Sequence, residues 1–271
     1  MPIHNLSGFL PSFQFFGMTV PVYFLVTALA FVAAMLLLVK RADSHGLSRN
    51  RALDTCLVLM ISGFIGARVF HILVEEPAYY QARPWLAFDF WSGGFVWYGG
   101  ALFGGICSIA FLKWKKEPLL TWLDLFAPVC ALGYAVGRMA CVLTGCCYGR
   151  VTQLSVNFGF GLGGELIRHP TQSYAVIGEL CTLAFLLWLE KRRSAHRLSK
   201  VFASLLDRPG QLFFVWLSLH AVGRIFMEVF RDDPRGPAPF GLSASTWLSF
   251  ILLISAVGAL VTGQAKRSQS T

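Results

Sequence analysis

Apolar segments of near-membrane length recur along this chain, and they restrict it more than any other feature. Seven can be drawn, at roughly 17–39, 53–74, 94–112, 120–142, 172–189, 210–230 and 243–262, each close to the ~20 residues that a bilayer core requires. A segment in hydrocarbon must satisfy its own backbone polar groups, so helices are the default. Charged residues make up 14% of the chain and hydrophobic ones 55%, against roughly 25% and 45–50% in soluble proteins. The expected fold class is therefore an all-α polytopic membrane protein with seven transmembrane helices, forming one membrane domain over 1–271. The third segment, "GGFVWYGGALFGG", is rich in glycine, which suits close helix packing or a re-entrant element.

The net charge of +9 is informative through its placement. Connections on one side carry four basic residues ("KRADSHGLSRNR"), three ("KWKK") and six (191–208), and the tail carries two. The alternate side has none in the first fifteen residues, one at Arg83, and two each in 143–171 and 231–242. The positive-inside rule then puts the N-terminus outside and the C-terminus in the cytoplasm. Residues 143–171 become a small outer head between the fourth and fifth spans. No basic face with interleaved aromatics is present, so nucleic acid is not an expected partner. The N-terminus lacks the basic region of a signal peptide, so the first apolar segment is expected to remain as a helix.

Ionisable groups inside such segments are costly and mark function by default. They are Arg68 and His71 in "GARVFH", Arg138 in "GRMAC", and His220, Arg224 and Glu228 in "LHAVGRIFME", with Arg231 at the boundary. His220, Arg224 and Glu228 are four apart and share a helical face. Arginines here outnumber the carboxylates available to them, and surplus guanidinium in a membrane suits a phospholipid phosphate, which its fork binds bidentately. An ion pair between Arg224 and Glu228 that only knits helices together is the plainer alternative. Arg68 could snorkel, pair or bind lipid, and His71 suits helix packing.

Three thiols, Cys141, Cys146 and Cys147, follow Arg138 in "GRMACVLTGCCYGR". In an oxidising outer compartment a disulfide of Cys141 with Cys146 or Cys147 is the favoured reading. A labile vicinal Cys146–Cys147 bond and a catalytic thiolate beside Arg138 stay open. No second Cys/His pair stands at ligand spacing, so no metal is expected.

Taken together, these segments resemble the prolipoprotein diacylglyceryl transferase family over nearly the whole chain. "GFIGARVFHIL", "GGFVWYGGALFGG" and "LDLFAPVCALGYAVGR" look like its helical motifs. "GRMACVLTGCCYGRVT" stands at its signature, and "RHPTQSY" and "GRIFMEVFRDD" look like its later elements. The resemblance implies seven helices with a small periplasmic head in the bacterial inner membrane. It implies transfer of a diacylglyceryl group from phosphatidylglycerol to the thiol of a lipobox cysteine in a prolipoprotein, with no cofactor and membrane lipids as surroundings. Arg138 and Arg224 match its essential arginines, with Tyr98 and His220 as candidates for proton handling. Substrate binding falls to Arg68, Gly99, Gly100, Gly137, Gly149, His169, Gln172, Tyr174, Glu228 and Arg231, although His169 and Gln172 could only brace the head. Departures are marked. Cys141, Thr144 and Cys146 stand where the signature has Asn, Asn and Glu, Tyr98 replaces a histidine, His220 and Phe16 replace tyrosines, and Ala175 replaces a glutamate. A relative with the same fold that uses its thiols for redox or another acceptor, or a non-catalytic lipid-binding protein, are the alternatives.

Overall fold

The computed structural model describes residues 12–15, 18–90, 93–147, 149–153, 168–195, 203, 206–232 and 242–268. A short antiparallel hairpin comes first, β1 (Ser12–Phe15) and β2 (Met18–Pro21). Among the described residues seven long helices follow: α1 (Val22–Ser44), α2 (Arg49–Phe70), α4 (Trp97–Trp114), α5 (Leu119–Thr144), α6 (Thr171–Ser194), α7 (Gln211–Glu228) and α8 (Ala244–Ser268). A short helix, α3 (Pro77–Ala82), lies between α2 and α4. Each long helix overlaps one of the seven expected segments. The first starts later than expected, at Val22 instead of near 17, because Met18–Pro21 is extended and paired with β1. The hairpin is also the one addition to the all-helical expectation among the described residues.

Five of these helical stretches are long and apolar enough to cross a membrane: Val22–Ser44, Arg49–Glu75, Leu119–Thr144, Thr171–Ser194 and Ser245–Thr262. Their outward faces are apolar. Leu36, Phe64, Ile177 and Ile254 are all exposed, as a lipid-facing surface demands. Exposed tryptophans at Trp97 and Trp114, the two ends of α4, suit the headgroup level. The chain is a polytopic membrane protein.

The helices pack as two compact units, one of residues 38–122 and the other of 1–37 with 123–271. In the first unit, α2 and α4 approach closely through glycines. A Cβ at Gly99 would lie 2.3 Å from Phe70 Cβ and 2.5 Å from the Gly66 carbonyl oxygen, and one at Gly66 would lie 2.3 Å from Phe103 Cβ. This resolves the glycine-rich third segment as close helix packing. Gly99, expected at the substrate, is occupied as a helix contact. Gly100 has the Gly63 carbonyl 3.0 Å from its Cβ position.

In the second unit, Ala127 and Ala131 of α5, Leu186 and Leu189 of α6, Leu206, and Leu212 of α7 form a buried apolar cluster. A carboxylate fastens the same elements. Asp124 accepts the backbone N–H of Phe213 at 3.2 Å and lies 3.7 Å from Arg193. A negative charge at the start of α7 satisfies orphan donors and complements the helix dipole. Just before α7, Gly210 adopts φ +91°, which side-chain-bearing residues resist.

Replacing Gly99 by leucine is expected to cost about 3 kcal/mol or more through overpacking. Gly105→Leu, where a Cβ meets open space, is expected to be neutral. Thermal unfolding of the two purified variants in detergent checks the difference.

Candidate active site: an arginine-lined cleft beside three thiols

The signature stretch ends α5 and turns sharply. Gly145 and Cys147 both take positive φ, +66° and +61°, which reverses the chain and returns Cys147 toward the helix. Two side chains from the start of α6 hold the turn. Thr171 Oγ1 donates to the Cys147 carbonyl at 2.7 Å, and Gln172 Nε2 donates to the Cys146 carbonyl. Next, Gly149 passes between two backbones. Its N–H donates to the His169 carbonyl at 3.0 Å, the Arg150 N–H donates to the Phe230 carbonyl at 2.7 Å, and the His169 N–H donates to the Arg150 carbonyl at 2.9 Å. A Cβ on Gly149 would lie 2.6 Å from the Phe230 oxygen and 2.7 Å from the His169 oxygen. Only glycine fits.

These constraints frame a small cleft in the second unit. Arg138, Arg224 and Arg231 all line it, with Tyr134, Cys147 and Gln172. Thr171, Ala175 and Met227 complete the wall. The arginines of the fourth and sixth long helices therefore converge. They are not equally uncompensated. Arg224 donates to Glu228 at 3.1 Å and to Ser245 Oγ at 2.5 Å, so the expected Arg224–Glu228 ion pair exists, with Arg224 in the cleft wall and Glu228 outside it. Among the described residues Arg138 is met by an aromatic face instead, 4.9 Å from the Tyr134 ring centroid.

Behind Tyr134 lies a second polar group. The His220 ring meets Tyr134 edge-on at 4.7 Å, and its Nδ1 bonds Glu179 Oε1. Glu179 is buried and its other oxygen has no hydrogen-bond partner among the described residues. His220 itself is not in the cleft wall, so it reaches the site through Tyr134. His169 and Tyr174 pack with Phe230 at 5.1 and 6.1 Å, and Tyr174 approaches His169 Nδ1 at 3.4 Å. They brace the Gly149 crossing, while Gln172 both braces the turn and lines the cleft. At Gly137 a Cβ would meet only open space, so no close contact explains that glycine.

Arg68, Tyr98, Gly99 and Gly100 belong to the other unit. All five Arg68 N–H groups are spent on carbonyls, those of Ala87, Gly93, Gly94, Leu86 and Asp89, at 2.5–3.2 Å. The side chain is buried and braces residues 86–94, with no donor left for a phosphate. This geometry gives Arg68 a bracing role. His71 bonds the Tyr80 hydroxyl at 3.1 Å, in keeping with packing. Tyr98 packs edge-on against Trp97.

Cys141, Cys146 and Cys147 bring their sulfurs within 4.8 Å of one another. The expected disulfide is not formed, and all seven cysteines are free. Hydrogen bonds from the Cys141 and Cys146 thiols, with Arg231 and Arg138 nearby, hold the Cys147 thiol well below the ordinary thiol range although burial opposes this. Of the cleft residues that sequence reasoning missed, Tyr134 had a signal, since it stands one helical turn before Arg138. Thr171 had none, nor had Ser245, which holds Arg224 from outside the wall.

The prolipoprotein diacylglyceryl transferase family model matches residues 11–262. The chain belongs to that family. It is 30% identical over 246 residues to a phosphatidylglycerol–prolipoprotein diacylglyceryl transferase of Clostridium tetani, covering 89% of this chain and 92% of that protein. A second such enzyme, from Clostridium perfringens, is 30% identical over 249 residues, covering 90% and 91%. One from Gluconacetobacter diazotrophicus is 32% identical over 201 residues, covering 72% and 68%. Membership covers nearly all of the chain, including the altered signature.

Gly149→Ala is expected to part the three backbones, because two of the obstructing atoms are carbonyl oxygens. Amide exchange at Arg150 and His169 should quicken by roughly tenfold or more, the equivalent of losing about one hydrogen bond. Hydrogen–deuterium exchange of the two proteins measures it.

Proposed function

We propose that this protein is a phosphatidylglycerol–prolipoprotein diacylglyceryl transferase of the bacterial inner membrane. The convergence of Arg138, Arg224 and Arg231 on one cleft, in a member of this family, carries the reading. In the reaction, the sulfur of a lipobox cysteine displaces phosphate at the glyceryl carbon. A C–S bond forms, the C–O bond breaks, and its electron pair leaves with glycerol phosphate. Negative charge grows on the departing oxygen, so fixed cations nearby lower the barrier. Arg138 is the main phosphate ligand, because its partner is a ring rather than a carboxylate. Arg224 is oriented by Glu228 and Ser245 and contributes direction more than net charge. His220, held by Glu179, is a positioning residue that sets the Tyr134 ring beneath Arg138.

All seven long helices cross the membrane in this reading, including Trp97–Trp114 and Gln211–Glu228. The N-terminus and the 143–171 head face the periplasm, and the C-terminus faces the cytoplasm, as the basic-residue asymmetry supports. Of the head, residues 148 and 154–167 lie outside the described part.

Two outcomes are expected. Transfer of radiolabelled lipid to a lipobox peptide should fall about 100-fold or more in Arg138→Ala and recover only in part in Arg138→Lys, which keeps charge but loses the fork. Unchanged transfer in both Arg138→Ala and Arg224→Ala would reject the mechanism. An alkaline phosphatase fusion at residue 153 should be active and one at the C-terminus inactive.

A further inference from the structure

The cleft wall contains no carboxylate and no histidine among the described residues, yet the acceptor is a thiol that must lose its proton. Cys147 is the wall's one thiol, and it is the member of the three-thiol cluster that lines the cleft. We propose that Cys141, Cys146 and Cys147 form a tri-thiolate site for a zinc-class ion, whose fourth position faces the cleft and takes the acceptor thiol. This rests on the transferase reading and supplies the thiol activation that the cleft residues do not.

Geometry supports it in three ways. First, the widest Sγ separation is 4.8 Å, and bonds of ~2.3 Å to zinc would draw the sulfurs to roughly 3.8 Å, a closure of about 1 Å within reach of side-chain rotation. Second, the ligands are held in advance. Cys141 is fixed on α5, while Thr171 and Gln172 grip the carbonyls of Cys147 and Cys146. Cys147 keeps φ +61°, a conformation that costs a non-glycine residue about 1 kcal/mol or more and here turns its sulfur inward. Thr144 Oγ1 lies 3.4 Å from Cys146 Sγ, as an outer-shell partner of a ligand would. Third, the charge closes. Three thiolates and Zn²⁺ sum to −1, and Arg138 and Arg231 line the same cleft as Cys147.

Three protein ligands with an open fourth position are the arrangement of catalytic rather than structural zinc. The acceptor's S–H proton passes to water as its sulfur joins the ion, because coordinating thiols are deprotonated. The bound thiolate then attacks the glyceryl carbon, and the electron pair of the broken C–O bond leaves on the phosphate against Arg138. No oxidant or reductant enters.

The test is metal titration of purified, reduced, chelator-treated protein in detergent, with Cd²⁺ and Co²⁺ as probes. One equivalent should bind with a sulfur-to-metal charge-transfer band. Cys141→Ser, Cys146→Ser and Cys147→Ser should each weaken binding at least 10-fold, and Cys181→Ser, exposed on α6, should not. Adding a lipobox peptide should intensify the cobalt band, and its Cys→Ser version should leave it unchanged. Absence of the band, equal binding by the triple variant, or a disulfide within the cluster after reduction would overturn the site. Equal spectra with both peptides would overturn the open position. Transfer without metal binding removes this inference and leaves the proposed function standing. Metal binding without transfer leaves the tri-thiolate site and removes the function.

Discussion

A guanidinium carried into an apolar slab must find partners for its N–H groups and its charge, and this demand organises much of the molecule. Three arginines inside apolar segments meet it in three ways. Arg68 spends all five donors on backbone carbonyls and becomes a brace. Arg224 takes a carboxylate on its own helix and a serine from α8. Arg138 rests on an aromatic ring. A ring offers a quadrupole but no formal charge, so this is where positive potential is left over for a ligand. The chemistry of the cleft follows from that difference in partners.

The altered signature takes on a physical meaning beside it. Cys141, Thr144 and Cys146 stand where the resemblance read from the sequence leads one to expect amides and a carboxylate, and they sit in a well-braced turn. The turn still closes on α6 through Thr171 and Gln172, and Gly149 still passes between two backbones. Two of the three positions, Cys141 and Cys146, supply soft sulfur donors within this scaffold. They alter the kind of chemistry available beside Arg138 and not the place where it occurs.

Helix number and position were legible in the chain because a bilayer imposes one length and one backbone solution, so hydropathy alone finds each long helix. The start of α1 was less legible. Pairing of Met18–Pro21 with Ser12–Phe15 overrides an apolar pattern that continues through both. Arg138, Arg224 and Arg231 could be read as a group, since ionisable residues in apolar surroundings are conspicuous. Arg68 looked the same in sequence and differs only because residues 86–94 present carbonyls to it, a tertiary fact with no local signature. Convergence of the thiols was likewise invisible as geometry. Spacing allowed a disulfide, whereas the positive φ of Gly145 and Cys147 sets three separate sulfurs in a triangle.

The backbone bridge between Val151 and Arg168 has a separate consequence. The chain leaves the Gly149 crossing at Val151 and comes back to it at Arg168, so the two ends of the intervening stretch are held side by side. Loop length then weighs little on the cleft, since doubling a loop costs only about 0.6 kcal/mol in closure entropy. A change of chain length between Val151 and Arg168 is therefore expected to leave the Gly149 crossing in place.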